Sequence, residues 1–201
     1  MQITTTILAL GANKVGVWGS PEATLKRACQ ELERLGFSIR SQSTMIRTHP
    51  IGSSRQPDYH NLAISMDSFL PIVMFLKRLK SIEYAAGRRT AARWSARELD
   101  IDIICHGGRV TKPLSSRCAA GLRRPRVDRG QSAVARADRR GPGTDGTLRG
   151  RLQLPHPEMH RRSFVLEPML EVAPHWRHPI GGLTVRAMLL QLGIRRPRHS
   201  T

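Results

Sequence analysis

Aromatic side chains are scarce in this chain, 4% of its 201 residues against 39% hydrophobic residues in all. A core can be buried at this length, but it has to be largely aliphatic. Base-stacking surfaces that interleave aromatic and basic residues are not present in the pattern, nor is any RNP-like motif. Cysteine is equally sparse. Cys29, Cys105 and Cys118 are odd in number, far apart and without any Cys-x-x-Cys, which argues against a disulfide framework and a zinc site. A reducing cytoplasm is the expected location. Long apolar runs are missing too, since the longest, 70–76, falls far short of a bilayer span, and the first ten residues carry no basic leader. No membrane role is expected.

Acidic residues are in short supply as well: 15 Asp and Glu face 33 Lys and Arg, for a net charge of +18. Half of that surplus sits in residues 109–151, which hold eleven Arg and one Lys against three Asp and not one aromatic. In this stretch Arg, Ala, Gly, Pro and Ser make up 28 of 43 residues. Such a composition buries too little apolar surface to order itself, so a disordered basic insertion is expected there. The remainder is only moderately basic. With no recognition motif beside the charge, nucleic acid is not the expected partner.

What is present is patterned on both sides of that insertion. Residues 3–10 read as a buried strand ending in the turn signal Gly11-Ala12-Asn13. Ser20-Pro21 marks a helix start, Leu25, Ala28, Cys29, Leu32 and Leu35 recur at helical spacing, and Gly36 is the stop. Strands are expected over 37–48 and 62–69, and a second helix from Pro71 to about Gly87, with Ile72, Phe75, Leu76, Leu79 and Ile82 on its apolar face. A further strand carries Leu99 to Ile103, and a last amphipathic helix is expected over 183–192, followed by a basic tail at 195–201. The order βαββαβ predicts an α+β fold with an antiparallel or mixed sheet and helices on one face.

The most informative run is Leu99-Asp100-Ile101-Asp102-Ile103. On a strand the three apolar residues point into a core while both carboxylates leave the opposite face. Two acids roughly 7 Å apart along a strand gain little from packing, but they suit a hard cation such as Mg²⁺. Arg88, Arg89, Arg93 and Arg97 lie just upstream, as a polyphosphate site would require. No convincing pair of nucleophile and base accompanies them.

Several separated motifs in order, Leu10-Gly11-Ala12-Asn13, Arg47-Thr48-His49-Pro50-Ile51-Gly52, Gln56-Pro57-Asp58-Tyr59-His60-Asn61, Ile82-Glu83, Gly87-Arg88, Arg93-Trp94-Ser95-Ala96-Arg97 with Asp100-Ile101-Asp102, and Pro155-His156 through Phe164, resemble the 6-hydroxymethyl-7,8-dihydropterin pyrophosphokinases. The resemblance covers residues 1–108 and 152–192. It implies a single ferredoxin-like domain over 1–194, mostly antiparallel, interrupted by the insertion. It also implies transfer of pyrophosphate from ATP to the pterin hydroxymethyl group, with AMP released, in folate biosynthesis. By the same resemblance Asp100 and Asp102 would hold two Mg²⁺ ions, with Arg88 and Arg97 neutralising the triphosphate. Arg93, His156, Arg162 and Glu83 would complete the nucleotide site. Thr48, Pro50, Tyr59, Asn61 and Phe164 would bind the pterin, and Trp94 would seal the site. The partners expected are these two small molecules, and the chain is expected to be a monomer.

Departures from the family pattern are Ala12 for a serine, Ser95-Ala96 for Gly-Pro, a catalytic loop one residue short, and 53 residues between Asp102 and His156. A long loop costs only about 0.6 kcal/mol per doubling, so the site can still assemble. The alternatives are a catalytically impaired member of the family, a basic protein that binds polyanions through the Arg-rich insertion, or another transferase using Asp-x-Asp.

Overall fold

The computed structural model describes residues 3–50, 56–89, 95–111 and 152–195. Strand β1 (Thr4–Ala12) leads to helix α1 (Pro21–Arg34), where the Ser20 hydroxyl accepts the Ala23 N–H at 3.3 Å, Pro21 fills the first turn, and Gly36 at φ +84° turns the chain out. The expected strand over 37–48 is two strands, β2 (Ser38–Gln42) and β3 (Ile46–Thr48). The break has a cause. Ser43 exchanges its backbone N–H and its hydroxyl with the Ala63 carbonyl and N–H, both at 2.9 Å, and the chain bends around it. Strand β4 (Tyr59–Ser68) starts three residues earlier than its apolar run, because Tyr59, His60 and Asn61 pair with Thr48, Arg47 and Ile46. Helix α2 (Ile72–Ala85) and strand β5 (Asp100–His106) follow as expected.

The sheet runs β2-β4-β1-β5, with β3 also on β4, and every pairing is antiparallel. Counting β2 and β3 as halves of one broken strand, this is the ferredoxin-like order. Helices α1 and α2 pack on one face, where Leu8, Leu10, Leu62, Ile64, Ile101 and Ile103 meet Leu25, Leu32, Phe75 and Leu79.

The expectation of helices on one face alone is corrected by a second core. Ile7 and Ile104, on the other face, are buried against Val165, Leu166 and Met169 of α3 (Ser163–Val172) and Val185, Met188 and Leu189 of α4 (Val185–Gln191). Helix α3 was not legible in the sequence. Arg162 provides no side-chain cap, and Pro168 inside the helix leaves the Phe164 carbonyl without its i+4 donor. The helix is held by packing and by Glu171, whose carboxylate takes the Thr44 N–H at 2.8 Å and hydroxyl at 2.7 Å. Most of the expected basic insertion, 112–151, lies outside the described residues. At its base the Thr111 hydroxyl accepts the Leu154 N–H at 2.9 Å, and the Thr111 N–H reaches the Leu154 carbonyl at 3.1 Å.

Candidate active site

On the α3 face the centre of the sheet is nearly bare of side chains. Gly11 of β1 is the antiparallel partner of Asn61 on β4 and of Asp100 on β5, while Ala9 stands between Ala63 and Asp102. Directly paired residues share a face, so an amide on one side and two carboxylates on the other look across a floor of glycine and alanine. Gly11 and Ala9 remain half-buried although they lie on a central strand. A Cβ at Gly11 would sit 3.1 Å from Asn61 Oδ1 and 3.8 Å from the Tyr59 ring. The trough therefore depends on that glycine.

The β4 side carries neutral recognition groups. Asn61 is buried and its Nδ2 donates to Thr48 Oγ1 at 2.8 Å, which fixes the amide and directs Oδ1 toward Gly11. Tyr59 is half-buried, and burial raises its phenol pKa against the opposing pull of Arg97 and Arg88. Pro50 closes the described part of the β3–β4 connection. Phe164, in the first turn of α3, is half-buried with the Arg162 guanidinium 5.8 Å from its ring centroid.

The β5 side is a charge network. Asp100 Oδ1 accepts from Arg88 Nη1 and Oδ2 from Arg97 Nη1. Burial opposes ionisation of Asp100, yet Arg88 and Arg97 outweigh it and hold the carboxyl below its ordinary value. Arg88 also donates to Glu83 at 2.6 Å, and Glu83 receives Lys80 Nζ at 2.8 Å and the Ile101 backbone N–H at 2.8 Å. Glu83 is thus placed behind Arg88, 2% exposed with its oxygens engaged, rather than in the trough. It braces the arginine and the start of β5; burial raises its pKa despite Lys80 and Arg88.

His156 is tied to β5 through its N–H on the Ile104 carbonyl at 2.9 Å. Burial, with help from Arg162, lowers its pKa, and the negative charge of Asp102 works against that. Its Nδ1 accepts the Glu158 N–H at 3.3 Å, so the neutral ring carries its proton on Nε2 and can donate there. Asp102 shares the face of Asp100. Among the described residues no group of three or more His, Cys, Asp or Glu side chains is arranged to hold a metal ion, so these two aspartates are the donor set on offer.

The structure brings Arg88, Arg97, Asp100, Asp102 and His156 to one wall of the trough, and Thr48, Tyr59 and Asn61 to the other. Arg93 and Trp94 lie outside the described residues. One residue of evident importance carried no assigned role in the sequence reading. Asn13 is 1% exposed, its Oδ1 accepts the Arg97 N–H at 2.7 Å, and its Nδ2 donates to Gln56 Oε1 at 3.2 Å and the Pro57 carbonyl at 3.1 Å. It joins three loops at the mouth of the trough. Its motif was visible, but its partners are 43 to 84 residues away.

Residues 7–174 match the family model described as 7,8-dihydro-6-hydroxymethylpterin-pyrophosphokinase (HPPK). The chain belongs to the HPPK family. A similar protein is the 2-amino-4-hydroxy-6-hydroxymethyldihydropteridine pyrophosphokinase of Methylorubrum extorquens, 30% identical over 191 residues that cover 94% of each chain. That of Haemophilus influenzae is 26% identical over 170 residues, 84% of this chain and 81% of the relative. Among solved structures, an HPPK-DHPS in complex with substrates superposes with a TM-score of 0.59 at 14% identity, covering 95% of this chain and 44% of that one. The chain spans less than half of that solved protein, and the likeness is one of fold. The HPPK match runs through both walls of the trough and across the basic insertion.

Proposed function

We propose that this chain catalyses the reaction for which the HPPK family is named, transfer of the pyrophosphoryl group of ATP to 6-hydroxymethyl-7,8-dihydropterin in folate synthesis. The observation that carries the site-level reading is the cross-strand row Asn61-Gly11-Asp100, which sets a ring-recognising amide and a metal-type carboxylate face to face over a bare floor. The pterin lies on the β4 side. Asn61 offers both a donor and an acceptor to the ring edge, Tyr59 and Phe164 provide apolar faces, and the backbone near Thr48 and Pro50 completes the edge. The triphosphate lies on the β5 side, where Arg88, Arg97 and Arg162 neutralise it and His156 donates from Nε2; by the family resemblance Arg93 would add a basic contact and Trp94 would seal the site.

Asp100 and Asp102 fit two Mg²⁺ ions, since carboxylate oxygens on one strand face are the hard donors such ions take. When bound, the ions neutralise charge that develops on the phosphates. The hydroxymethyl oxygen forms a bond to the β-phosphorus, the bond from that phosphorus to the α-bridging oxygen breaks, and AMP leaves while the hydroxyl proton passes to solvent. No protein nucleophile is required, so the residues act by positioning and by charge. We read residues 1–194 as one domain interrupted at 109–151, acting as a monomer in the cytoplasm without nucleic acid or membrane. Among the described residues no helix is long and apolar enough to cross a membrane.

The test is release of AMP from ATP in the presence and absence of the dihydropterin. Pterin-dependent AMP release is expected, with a dihydropterin diphosphate formed in equal amount. ADP as product, or AMP release indifferent to the pterin, would overturn the reading.

A further inference from the structure

We propose that the connection between β1 and α1, residues 13–19, is a spacer that sets the distance between the segments carrying Arg88 and Arg97, with Gly16 as a positioning residue in contact with both. This rests on the phosphate assignment above and adds to it the part of the fold that aims the two guanidinium groups.

Each arginine leaves a fixed stem. Arg88 follows the end of α2, where Gly87 at φ +102° closes the helix: the Gly87 N–H reaches the Tyr84 carbonyl at 3.1 Å and the Arg88 N–H the Glu83 carbonyl at 3.0 Å. That closure lays Arg88 beside the Glu83 carboxylate it holds. Arg97 stands on the other stem. The Asn13 and Lys14 N–H groups both donate to its carbonyl, at 3.0 and 3.1 Å, and Lys14 Nζ pairs with the adjacent Glu98 at 2.6 Å. Both guanidinium groups converge on Asp100, so the separation of the stems decides where they point.

The stems meet through a tight hairpin. Gly16 and Gly19 exchange two backbone hydrogen bonds at 3.0 Å, Gly19 takes φ +93°, and Trp18 rests on the α1–α2 core. The backbone of Gly16 is wedged between the stems, since a Cβ there would lie 2.9 Å from the Ala86 carbonyl oxygen and 2.9 Å from Glu98 Cγ. Val17 backs Gly87, where a Cβ would fall 3.2 Å from Val17 Cγ2. Val15 and Val17 stay 69% and 76% exposed, so Trp18 apart, burial does not account for the hairpin. Gly16 lies outside the left-handed region, so glycine is required there by space and not by φ.

Alanine at Gly16 therefore has to part the stems. The Ala86 oxygen is main chain and cannot turn aside as a flexible side chain would. A shift of several tenths of an ångström is carried out along two long side chains, and a misplacement of about 1 Å can lower a rate on the order of a hundredfold.

The experiment uses the full chain and measures binding of α,β-methylene-ATP by titration calorimetry at a fixed excess of Mg²⁺, with urea unfolding to confirm that each variant is folded. Gly16→Ala should weaken the analogue roughly tenfold. Gly36→Ala is the control: that glycine sits at φ +84° with nothing within 4 Å of an added Cβ, so alanine strains the backbone at the end of α1 and should leave the affinity unchanged. Lys14→Met removes the tie to Glu98 at a side chain that is 53% exposed, keeps the fold, and should weaken the analogue about threefold; it carries the test if Gly16→Ala does not fold. A loss in Gly16→Ala no greater than in Gly36→Ala, or wild-type affinity in Lys14→Met, would overturn the spacer and leave the phosphate site standing. Wild-type protein that does not bind the analogue would overturn the site assignment itself.

Discussion

Asn13 and Arg97, 84 residues apart, hold each other by two bonds: the Arg97 N–H donates to Asn13 Oδ1 at 2.7 Å, and the Asn13 N–H donates to the Arg97 carbonyl at 3.0 Å. The guanidinium that grips Asp100 is therefore aimed by a backbone clamp at the end of β1. Asn13→Ala removes the acceptor and both Nδ2 donations, leaving a part-buried N–H without its partner. A loss of roughly 1–3 kcal/mol in urea unfolding is expected, with a fall in AMP release larger than the unfolded fraction explains. Asn13→Asp keeps the acceptor for Arg97 but cannot donate to Gln56 or Pro57, and should recover part of the turnover. Wild-type turnover in the alanine variant would show that the clamp does not position Arg97.

Gly11 makes the trough open. In Gly11→Ala the new Cβ falls 3.1 Å from Asn61 Oδ1, so the amide has to yield by a few tenths of an ångström. The KM for the pterin should rise several-fold, because an amide moved off its geometry recognises the ring edge poorly. The KM for ATP should change little, since Arg88 and Arg97 approach from the other wall. Gly11→Val should extend the loss, as the added methyls occupy the floor itself. Steady-state kinetics with each substrate varied in turn is the measurement, and equal losses for both substrates would place Gly11 outside the pterin half.

Acid should loosen the α3–α4 side. His178 is 1% exposed, its Nδ1 accepts the Ile180 N–H at 3.3 Å, and burial with the neighbouring His160 lowers its pKa from 6.5 to about 4. His160 is lowered as well, by burial first and then by Arg161. A group with a depressed folded pKa binds its proton in the unfolded chain first. Its contribution to stability is whole above pH 6.5 and is lost as the pH falls toward about 4. The loss from His178 should reach about 2 kcal/mol by pH 5. His178→Asn keeps an acceptor for Ile180 and does not titrate, so its urea midpoint should fall less between pH 7.5 and 5. A pH dependence unchanged by that substitution would exclude His178 as the sensor.

The parts of the molecule that the sequence made legible are those whose signals are local. Ser20-Pro21 and Gly36 bracket α1, and the alternation around Asp100 and Asp102 correctly separates the core face from the site face. The break between β2 and β3 was hidden, because Ser43 looks like any polar strand residue until Ala63 and the Glu171–Thr44 contact are beside it. Helix α3 was hidden for the opposite reason: its local signals, an uncapped start and Pro168, point away from a helix, and tertiary packing overrides them. At the site, residue types and order marked both walls, but not that they meet through Gly11. Glu83 shows the limit most plainly. By itself an acid near the end of α2 reads as a solvated side chain, and the family resemblance makes it part of the nucleotide site; only the packing of β5 against α2 reveals that its oxygens are taken by Arg88, Lys80 and the Ile101 N–H.

The stretch between the two halves should be dispensable for the chemistry. Thr111 and the 152–154 segment lie side by side: besides its bonds to Leu154, the Thr111 hydroxyl reaches the Leu152 carbonyl at 3.3 Å. The chain thus leaves and returns at one point on the edge beyond β5, and His156 is held independently by the Ile104 carbonyl. A turn of about two to four residues suffices to join ends this near. Replacing residues 113–150, which hold nine Arg and three Asp, removes a net charge of +6, and charge beyond the Debye length of about 8 Å at physiological ionic strength is largely screened. The shortened protein should fold cooperatively, retain pterin-dependent AMP release within about twofold at 0.15 M salt, and lose ATP affinity, if at all, only at low salt. Kinetics at two salt concentrations, with urea unfolding of both proteins, decides the matter. An unfolded or inactive shortened protein would make residues 113–150 an integral part of the domain.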